Sequence, residues 1–494
     1  MPGIKRKIYQ LIISRLDGHK LASELYQEQI IDLAKKGIGG FIIFGGEKRA
    51  VSSFIDKLQL LAETPLFIAS DIERGVGQQI EGATSFPGQM AIAAATDRGD
   101  PESIRDVEDA LNAIAFEAID AGINMPLIPV LDVNSNPDNP IICSRAFSDK
   151  PEVVSWFGSL YIRTLEKRGL ISCAKHFPGH GDTAVDSHIS LPVISKSIDE
   201  LHAVELAPFI EAVKTNVGSI MMGHISIPAL DDLPASLSKQ SVALLRDRLG
   251  YKGLIMTDAL NMHALKEIKD VAVTCVNAGV DILLHPENPD TIAEEIHHAV
   301  MTGEIAEIQI DRTVERILGH KARIKDIKKV RVDTCRHEKL SGLISDRSIT
   351  IVKDAPGLVP LKNFQDISLV FKADENKHDL TVLKSYFPES VHIREVTGDA
   401  VRPLIIVALF TKIAAWEGSA GMKEEDINIV RDLIKRSRSS IVLSFGNPYL
   451  LRHFREADAL IAAYDTTGQA QSSVIKCLKG EVMFQGRVPV ELKI

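Results

Sequence analysis

The stretch GLIMTDAL at residues 253–260 carries the pattern that decides the fold. A continuous apolar run, LIM, follows a glycine and leads directly into Thr257 and Asp258. Continuous apolar runs are typical of parallel strands that are covered on both faces, whereas alternating runs are typical of strands with one face in water. The stretch therefore predicts a buried parallel strand that ends in a carboxylate.

The same theme recurs through the first two-thirds of the chain. Six further runs share it: GIGGFIIF (38–45), TPLFIAS (64–70), INMPLIPVLDV (123–133), LISCAKHF (170–177), VGSIMMGHI (217–225) and GVDILLH (279–285). Amphipathic stretches such as residues 97–122 and 197–216 lie between them and predict helices. Residues 1–21 read as an amphipathic first helix. Seven β/α units are clear and an eighth is not, which predicts a (β/α)8-type barrel or a close relative.

The pattern changes after the last of these runs. Residues 318–340 are strongly basic and predict a helical connector. Five more strand-like runs follow: RSITIVKD, DISLVFKA, VRPLIIVALF, SSIVLSFGNP and ADALIAAY. They again read as buried and parallel, as in a smaller α/β sandwich. The prediction is an α/β protein with a barrel-like catalytic domain at 1–320, a helical linker at 321–342 and an α/β sandwich domain at 343–494.

Composition excludes several classes of partner. The 494 residues carry a formal net charge of −9 and only 5% aromatic residues, so neither nucleic acid nor an anionic membrane surface is an expected partner. The five cysteines are scattered and form no CxxC pair, which indicates a reducing compartment. There is no secretory signal pattern at the start and no apolar run of about 18 residues. We therefore expect a cytoplasmic protein.

Chemically active side chains stand where the predicted barrel strands end. The ends of parallel barrel strands meet at one face, and the loops that follow them carry the working residues of such enzymes. The candidates at this face are Asp71, Glu73, Asp132, Arg145, Lys175, His176, His224 and Asp258. Positive groups, carboxylates and histidines are thus predicted to converge on one rim.

Asp258 suits the attacking group of a retaining glycosidase. That reaction needs a carboxylate to attack the anomeric carbon and a second group to protonate the leaving oxygen. A strand directly before Asp258 would fix its backbone while the carboxylate points into the barrel mouth. An equally good interpretation is a helix N-cap for the ALNMHALKEI segment that follows, because Asp often caps the helix after a strand.

The loop 177–192 is the more specific signal. Gly179 and Gly181 flank His180, and Asp186 stands two residues before His188. Such an aspartate can turn back and accept the ring N–H, which sets the tautomer and raises the basicity of the histidine. The glycines would let the loop move with substrate. Single histidines in polar loops usually have no function, but three between residues 176 and 188 favour a functional role.

The segment KHFPGHGDT (175–183), running on to Asp186-Ser187-His188, resembles the signature of family 3 glycoside hydrolases of the bacterial β-N-acetylhexosaminidase branch. Related β-glucosidases share the KH and GHG parts and lack the Asp-Ser-His ending. Further similar segments are GLIMTDALNM, PVLDVNSNPDNPIICSRAFS, AVTCVNAGVDILLHP, LSFGNPY and GRVPVEL. The resemblance therefore covers nearly the whole chain, including the second domain.

This resemblance implies specific roles. Asp258 is implied as nucleophile and His188 as general acid/base, assisted by Asp186. The substrate-binding residues implied or expected around the terminal sugar are Asp71, Arg145, Lys175, His176 and His224. The activity implied is exo-β-N-acetylhexosaminidase, releasing terminal N-acetyl-β-D-glucosamine from carbohydrate substrates such as the muropeptides of cell-wall recycling, with no cofactor and no metal. The sequence departs from the family's pattern at Gln79, which stands where an arginine is expected near the leaving group. The preference for a particular aglycone is therefore not predicted.

Three alternatives remain open from the residues. A metal-dependent barrel hydrolase would use ligands drawn from His176, His180, His188, Asp186 and Asp258. A β-glucosidase-type family 3 hydrolase would take its proton donor from the second domain, where Glu417 is the candidate. The third alternative is a non-catalytic binding protein with the same fold. The presence of both Asp258 and His188 argues against it. Phosphorolysis is a variant outcome, because a histidine in place of a carboxylate removes a like charge near an anionic acceptor.

Overall fold

The computed structural model describes residues 3–184, 191–325, 327–355, 357–364, 366–396, 403–411, 413 and 421–494. The chain divides into two compact units. Unit 1 consists of Met1–Ser85, Glu108–Val133 and Pro151–His337, and unit 2 of Phe86–Val107, Asn134–Lys150 and Glu338–Ile494. The domain boundaries at residues 320 and 343 stay a prediction.

Unit 1 is a closed parallel barrel. Within the described residues it has eight strands: β1 (Ile12–Asp17), β2 (Gly40–Phe44), β3 (Phe67–Ser70), β4 (Met125–Pro126), β5 (Cys173–Phe177), β6 (Ser219–Met222), β7 (Leu254–Thr257) and β8 (Leu283–Leu284). Two parallel sheets, β4-β3-β2-β1-β8 and β5-β6-β7, are joined by parallel bridges between Val130 and Lys175 and between Met256 and Ile282. These bridges close the ring and confirm the predicted barrel.

The eighth strand is β1, in the segment that the sequence analysis assigned to a helix. The first helix covers only Ile4–Tyr9, and Ile12–Asp17 pairs in parallel with both β2 and β8. The helical interpretation was wrong for this part because Ser14 and Arg15 interrupt the apolar run. Arg15 is exposed in the middle of a strand whose neighbours Ser14 and Leu16 are buried, so the polar pair Ser14 and Arg15 masked the strand pattern.

Helices connect the barrel strands, and their ends follow local rules. In α2 the Ser23 hydroxyl accepts the Tyr26 backbone N–H, and Gly37 ends the helix at φ +91°, a conformation that favours glycine. The helices with residues in unit 1 are α1 (Ile4–Tyr9), α2 (Glu24–Lys36), α3 (Lys48–Leu61), α5 (Pro101–Ala121), α6 (Pro151–Lys167), α7 (Ile198–Ala203), α8 (Ala207–Lys214), α9 (Lys239–Ala243), α10 (Val271–Ala278), α11 (Pro289–Met301), α12 (Glu307–Ile324) and α13 (Thr334–Ser348). Residues of α5 and α13 belong to both units.

Unit 2 is built on a six-stranded sheet with the order β11-β10-β12-β13-β14-β9 in the described residues. Its strands are β9 (Thr350–Asp354), β10 (Ile367–Lys372), β11 (Val391–His392), β12 (Leu404–Phe410), β13 (Ser439–Phe445) and β14 (Ala459–Ala462). Its remaining helices are α4 (Gln89–Ala95), α14 (Thr381–Tyr386), α15 (Glu424–Arg436) and α16 (Gly468–Lys479). Alternate residues of the central strands feed two hydrophobic clusters, one on each face, which confirms the sandwich.

One strand of this sheet departs from the prediction. The five runs were all expected to be parallel, but β9 pairs antiparallel with β14 at the sheet edge. Antiparallel edge strands on otherwise parallel sheets are common, because an edge strand needs hydrogen bonds from one neighbour only. Most of β9 is also only half-buried, unlike β12 and β13.

Short tight helices complete the described chain. They are Gly18–Lys20, Val76–Gln78, Cys143–Arg145, Ala235–Leu237, His263–Leu265, Ile393–Glu395 and Pro448–His453, with a π-helical turn at Leu244–Arg248. None of the helices formed by the described residues is long and apolar enough to cross a membrane.

Candidate active site

The carboxyl-end face of the unit 1 barrel gathers most of the predicted side chains. Asp71 follows β3, Asp258 follows β7, and Lys175 and His176 lie in β5. Asp71 and Asp258 both act electrostatically on Cys173 in β5 and on His285, the residue after β8. The two carboxylates therefore both lie within electrostatic reach of Cys173 and His285.

Lys175 holds two carboxylates at the base of this face. Its Nζ lies 2.7 Å from Asp71 Oδ1 and 2.8 Å from Glu73 Oε1, and its side chain is only 2% exposed. A buried ammonium needs such partners, because an unpaired buried charge is strongly unfavourable. The Asp71 side chain is 32% exposed, so one side of this carboxylate still faces the opening. The pair thus presents an oriented acceptor and a neighbouring cation to a ligand.

Asp132 organises the start of the histidine-rich loop. Its Oδ2 lies 2.7 Å from His176 Nδ1, and its Oδ1 accepts the backbone N–H of His180 at 2.6 Å. Burial acts to raise the pKa of Asp132, but the two histidines outweigh this and hold that pKa below its ordinary value. The ionised carboxylate can only accept, so Nδ1 of His176 is the donor. The ring orientation of His176 is therefore fixed.

His180 is a buried, neutral member of the same loop. Burial lowers the pKa of His180 to about 4. Its Nδ1 lies 2.7 Å from Thr183 Oγ1, and its ring packs edge-on against that of His176 at 6.0 Å between centroids. These contacts fix the conformation of residues 176–183 before the segment that carries Asp186 and His188.

A salt bridge joins the two sides of this loop. Lys196 Nζ lies 3.2 Å from Asp182 Oδ2 and 2.6 Å from Oε1 of the buried Glu205. Burial raises the pKa of the Glu205 carboxyl, although Lys196 opposes the shift. Because Asp182 precedes residues 185–190 and Lys196 follows them, the pair holds the base of the loop together. Asp186 and His188 themselves lie outside the described residues, as does Glu417.

The backbone around Asp258 is held from two sides. The Asp258 N–H donates to the Met222 carbonyl at 2.9 Å, and Oδ1 accepts the N–H of the next residue, Ala259, at 2.7 Å. The next α-helix begins only at Val271, and Asp270 is its N-cap residue. Asp258 is therefore not the cap of that helix, which removes the structural alternative raised from the sequence.

His224 supports the same segment. Its Nε2 donates to the Ala259 carbonyl at 3.1 Å, and its Nδ1 lies 2.7 Å from Ser236 Oγ. Since a carbonyl only accepts, Nε2 carries the hydrogen. This buried histidine holds the chain directly after Asp258. Its predicted contact with sugar stays a prediction.

Arg145 belongs to unit 2 and lies in the loop of residues 134–150. One guanidinium nitrogen donates to the Ile141 carbonyl at 3.0 Å, and Gln89 Nε2 donates to the Arg145 carbonyl at 3.0 Å. The side chain and its backbone are thus ordered by neighbours in the same unit. The predicted contact of Arg145 with substrate is not tested by these bonds and stays a prediction.

Sequence reasoning missed His285. This residue ends the run GVDILLH, so the strand-end rule that selected Asp71 and Asp258 would also have selected it. Its backbone has φ +47°, which is uncommon for a residue other than glycine and recurs at functional sites. Burial and Arg15 lower the pKa of His285 to about 4, while Asp71 and Asp258 act in the opposite direction. His285 is therefore a neutral imidazole at the candidate site.

The metal alternative has no assembled ligand set in the described part of the chain. Searching those residues finds no group of three or more His, Cys, Asp or Glu side chains placed to hold an ion. Two of the ligands proposed for that alternative, Asp186 and His188, lie outside the described residues.

Comparison with known proteins assigns a family to this arrangement. Residues 3–319 match the family model described as the glycosyl hydrolase family 3 N terminal domain. The chain is 29% identical to Beta-hexosaminidase A of Pseudoalteromonas piscicida, over 93% of this chain and 90% of that protein.

Solved structures agree with this match. A family 3 beta-N-acetylglucosaminidase from Paenibacillus sp. str. FPU-7 is 28% identical with a TM-score of 0.85, and the alignment covers 100% of this chain and 99% of that one. A fungal multi-domain beta-N-acetylglucosaminidase of the same family, which has a glucosamine N-acetyltransferase region, is 27% identical with a TM-score of 0.88. This chain is covered to 99% in that alignment and spans 61% of the fungal protein.

Proposed function

Since this chain belongs to glycosyl hydrolase family 3, we propose that it is a retaining exo-β-N-acetylhexosaminidase whose nucleophile is Asp258. The single observation that carries the proposal is the position of Asp258 at the end of β7, with its backbone held by Met222 and with no helix to cap. The names of its relatives support the substrate class, because they are called beta-hexosaminidase and beta-N-acetylglucosaminidase.

In the proposed reaction Asp258 attacks the anomeric carbon and forms a covalent glycosyl-enzyme, which water then hydrolyses. The resemblance of the Asp-Ser-His ending supports His188 as the group that protonates the leaving oxygen and later activates water, with Asp186 orienting its ring. The contacts within residues 176–183 and the Lys196–Asp182 salt bridge support this part of the proposal, because they fix the chain on both sides of the segment that carries His188.

The terminal sugar would lie between the Lys175–Asp71 pair and Asp258. A carboxylate acceptor beside a cationic donor suits vicinal hydroxyl groups, each of which can donate and accept. His176, with Nδ1 committed to Asp132, would offer its other ring nitrogen to the same sugar. His224 completes the proposed set of binding residues in unit 1, and the resemblance implies Arg145 as a further one.

The test compares two chromogenic substrates that share a leaving group, an aryl N-acetyl-β-glucosaminide and the matching β-glucoside. We expect a clear preference in kcat/KM for the 2-acetamido sugar. Comparable efficiency on both would overturn the proposed substrate class and would favour the β-glucosidase alternative, with Glu417 as proton donor.

We further propose that the natural substrate is a cell-wall muropeptide and that the enzyme acts in the cytoplasm. The support is the resemblance to bacterial enzymes of this branch and the cysteine pattern. The test compares the rate of N-acetylglucosamine release from purified muropeptides with the rate from chitobiose at the same concentration. A strong preference for chitobiose would contradict it.

A further inference from the structure

The loop of residues 71–84, which follows β3, is bonded to itself at both ends. At its start the Gln79 side-chain nitrogen donates to the Asp71 carbonyl at 3.2 Å. At its end the Gly77 backbone N–H donates to the Thr84 carbonyl at 2.9 Å. The residue proposed to bind the sugar and the last residue of the loop are therefore parts of one hydrogen-bonded segment.

The two arms of this loop touch at Gly77. A side chain at this position would begin 2.4 Å from the Ala83 carbonyl oxygen, which is closer than real Cβ atoms approach. Arms packed this closely cannot slide past one another without breaking the bond between Gly77 and Thr84. The loop therefore moves as one body, and a displacement at Thr84 is transmitted to Asp71.

A buried carboxylate on α5 holds the end of this loop. Glu117 is 1% exposed, and its Oε2 accepts the Thr84 backbone N–H at 2.7 Å. Its Oε1 accepts the Thr84 hydroxyl at 2.6 Å. Hydrogen bonds to a charged acceptor are roughly twice as strong as neutral ones. Both the backbone and the side chain of Thr84 are therefore fixed by one carboxylate.

His337, in α13, completes this cluster. Its Nδ1 lies 2.6 Å from Glu117 Oε1, and its side chain is 10% exposed. An ionised carboxylate only accepts, so Nδ1 carries the hydrogen of this bond. Removing one partner of a buried charge is strongly unfavourable, because it leaves the other charge uncompensated. The position of Glu117 therefore depends on His337.

Two other contacts attach the same loop to its surroundings. Lys175 binds Asp71 at the start of the loop, and the Glu81 N–H donates to the Gly46 carbonyl at 3.0 Å near its end. A rigid body held at three separated points has a fixed orientation, whereas two points leave one rotation open. Loss of the Thr84 attachment therefore affects chiefly the direction in which the Asp71 carboxylate faces.

We propose that Glu117 and His337 are positioning residues of the candidate active site, which set the orientation of Asp71 towards the sugar by holding Thr84. This inference rests on the proposed function, in which Asp71 binds a hydroxyl of the terminal sugar. A substrate-binding group that is misplaced by about 1 Å can lower the rate by a factor on the order of 100, so a small rotation of the loop is enough.

The experiment measures kcat/KM on an aryl N-acetyl-β-glucosaminide. Thr84→Val and His337→Leu should each lower it roughly tenfold, the size of one buried hydrogen bond to a charged group. Thr84→Ser keeps the hydroxyl and His337→Asn keeps an N–H donor, so both should retain most of the activity. In an Asp71→Ala background the first two changes should cost less than about twofold, because no carboxylate is left to position.

Ser172 provides a matched control at the opposite end of the barrel. It directly precedes β5, and Glu166 accepts its backbone N–H at 2.9 Å and its hydroxyl at 2.7 Å. Arg323 pairs with the same carboxylate. Ser172→Ala thus removes the same kind of bond from the same kind of cluster. It should lower the Tm as Thr84→Val does, with kcat/KM within about twofold of wild type.

Amide hydrogen exchange of residues 72–80 gives a second measurement that needs no substrate. Thr84→Val and His337→Leu should exchange faster than wild type in this segment, and Ser172→Ala should not. If wild type does not hydrolyse the glucosaminide, the proposed function fails, while faster exchange in these two variants still supports the attachment of the loop through Glu117.

Three results would each overturn the positioning role. They are unchanged kcat/KM in Thr84→Val, a tenfold loss that persists in the Asp71→Ala background, and unchanged exchange in residues 72–80. Wild-type activity in Asp71→Ala alone would overturn both this role and the proposed sugar contact. Should His337→Leu not fold, Thr84→Val decides by the same criteria, because it leaves the bond between His337 and Glu117 in place.

Discussion

A buried lysine below the barrel yields a prediction whose size follows from the structure. Lys321, in α12, is 1% exposed. Its Nζ donates to Gln10 Oε1 at 2.8 Å and lies 5.1 Å from the ring centroid of Phe67, and no carboxylate among the described residues pairs with it. Burial lowers the pKa of Lys321 from 10.5 to about 7. Folding therefore places an amine where its charged form is strongly disfavoured.

The sign of the pH effect follows from this shift. Between about pH 7 and pH 10.5 the unfolded chain holds a proton on Lys321 that the folded chain has released, so the free energy of unfolding rises with pH. The slope is at most about 1.4 kcal/mol per pH unit, and across the window the gain is about 5 kcal/mol. Below about pH 7 both states are protonated, and the full destabilisation is present.

Lys321→Met should remove this dependence. At pH 6 the variant should be more stable than wild type, by roughly 1 to 3 kcal/mol, because loss of the buried charge outweighs the lost bond to Gln10. Towards pH 10 the free energy of unfolding of wild type should rise until it equals or exceeds that of the variant. Urea unfolding across this pH range measures the difference, with Lys214→Met, which removes a side chain that is 67% exposed, as the control. Parallel pH profiles for wild type and Lys321→Met would refute the reasoning.

The remaining predictions concern the site. Asp258→Ala should lose several orders of magnitude in kcat/KM on an aryl N-acetyl-β-glucosaminide while keeping its circular dichroism spectrum, and more than roughly a tenth of the wild-type rate would exclude it as nucleophile. His188→Ala should lose far more activity on a natural disaccharide than on an activated aryl glycoside. Asp186→Ala should show the same trend more weakly. Equal losses on both substrates would show that another residue donates the proton. Lys196→Met should lower kcat on poor leaving groups more than it raises KM, because it releases the loop base from Asp182; unchanged kinetics would show that the salt bridge does not position the loop.

Much of the site could be predicted from strand ends alone. Asp71, Lys175, His176 and Asp258 were selected by position after an apolar run, and the structure brings these residues to one barrel face. His285 follows the same rule and was overlooked. The roles of Asp186 and His188 depended on a motif, and they stay predictions because these residues lie outside the described part of the chain.

The sequence by itself determined the layers of the fold, because continuous apolar runs specify buried parallel strands wherever both faces are covered. It did not reveal β1, whose Arg15 breaks the run, nor the antiparallel direction of β9, since strand direction depends on the path of the chain and not on side-chain period.

Only the tertiary structure decided which polar groups meet. Asp132 binds His176 and the backbone of His180 from 44 and 48 residues away, and Arg15 reaches the ring of Phe44 on the neighbouring strand. It also decided that Asp258 caps no helix, because the next α-helix starts beyond Asp270. Periodicity is a local property of the chain, whereas these contacts exist only after the eight strands close into a ring and bring residues distant in sequence within hydrogen-bonding distance.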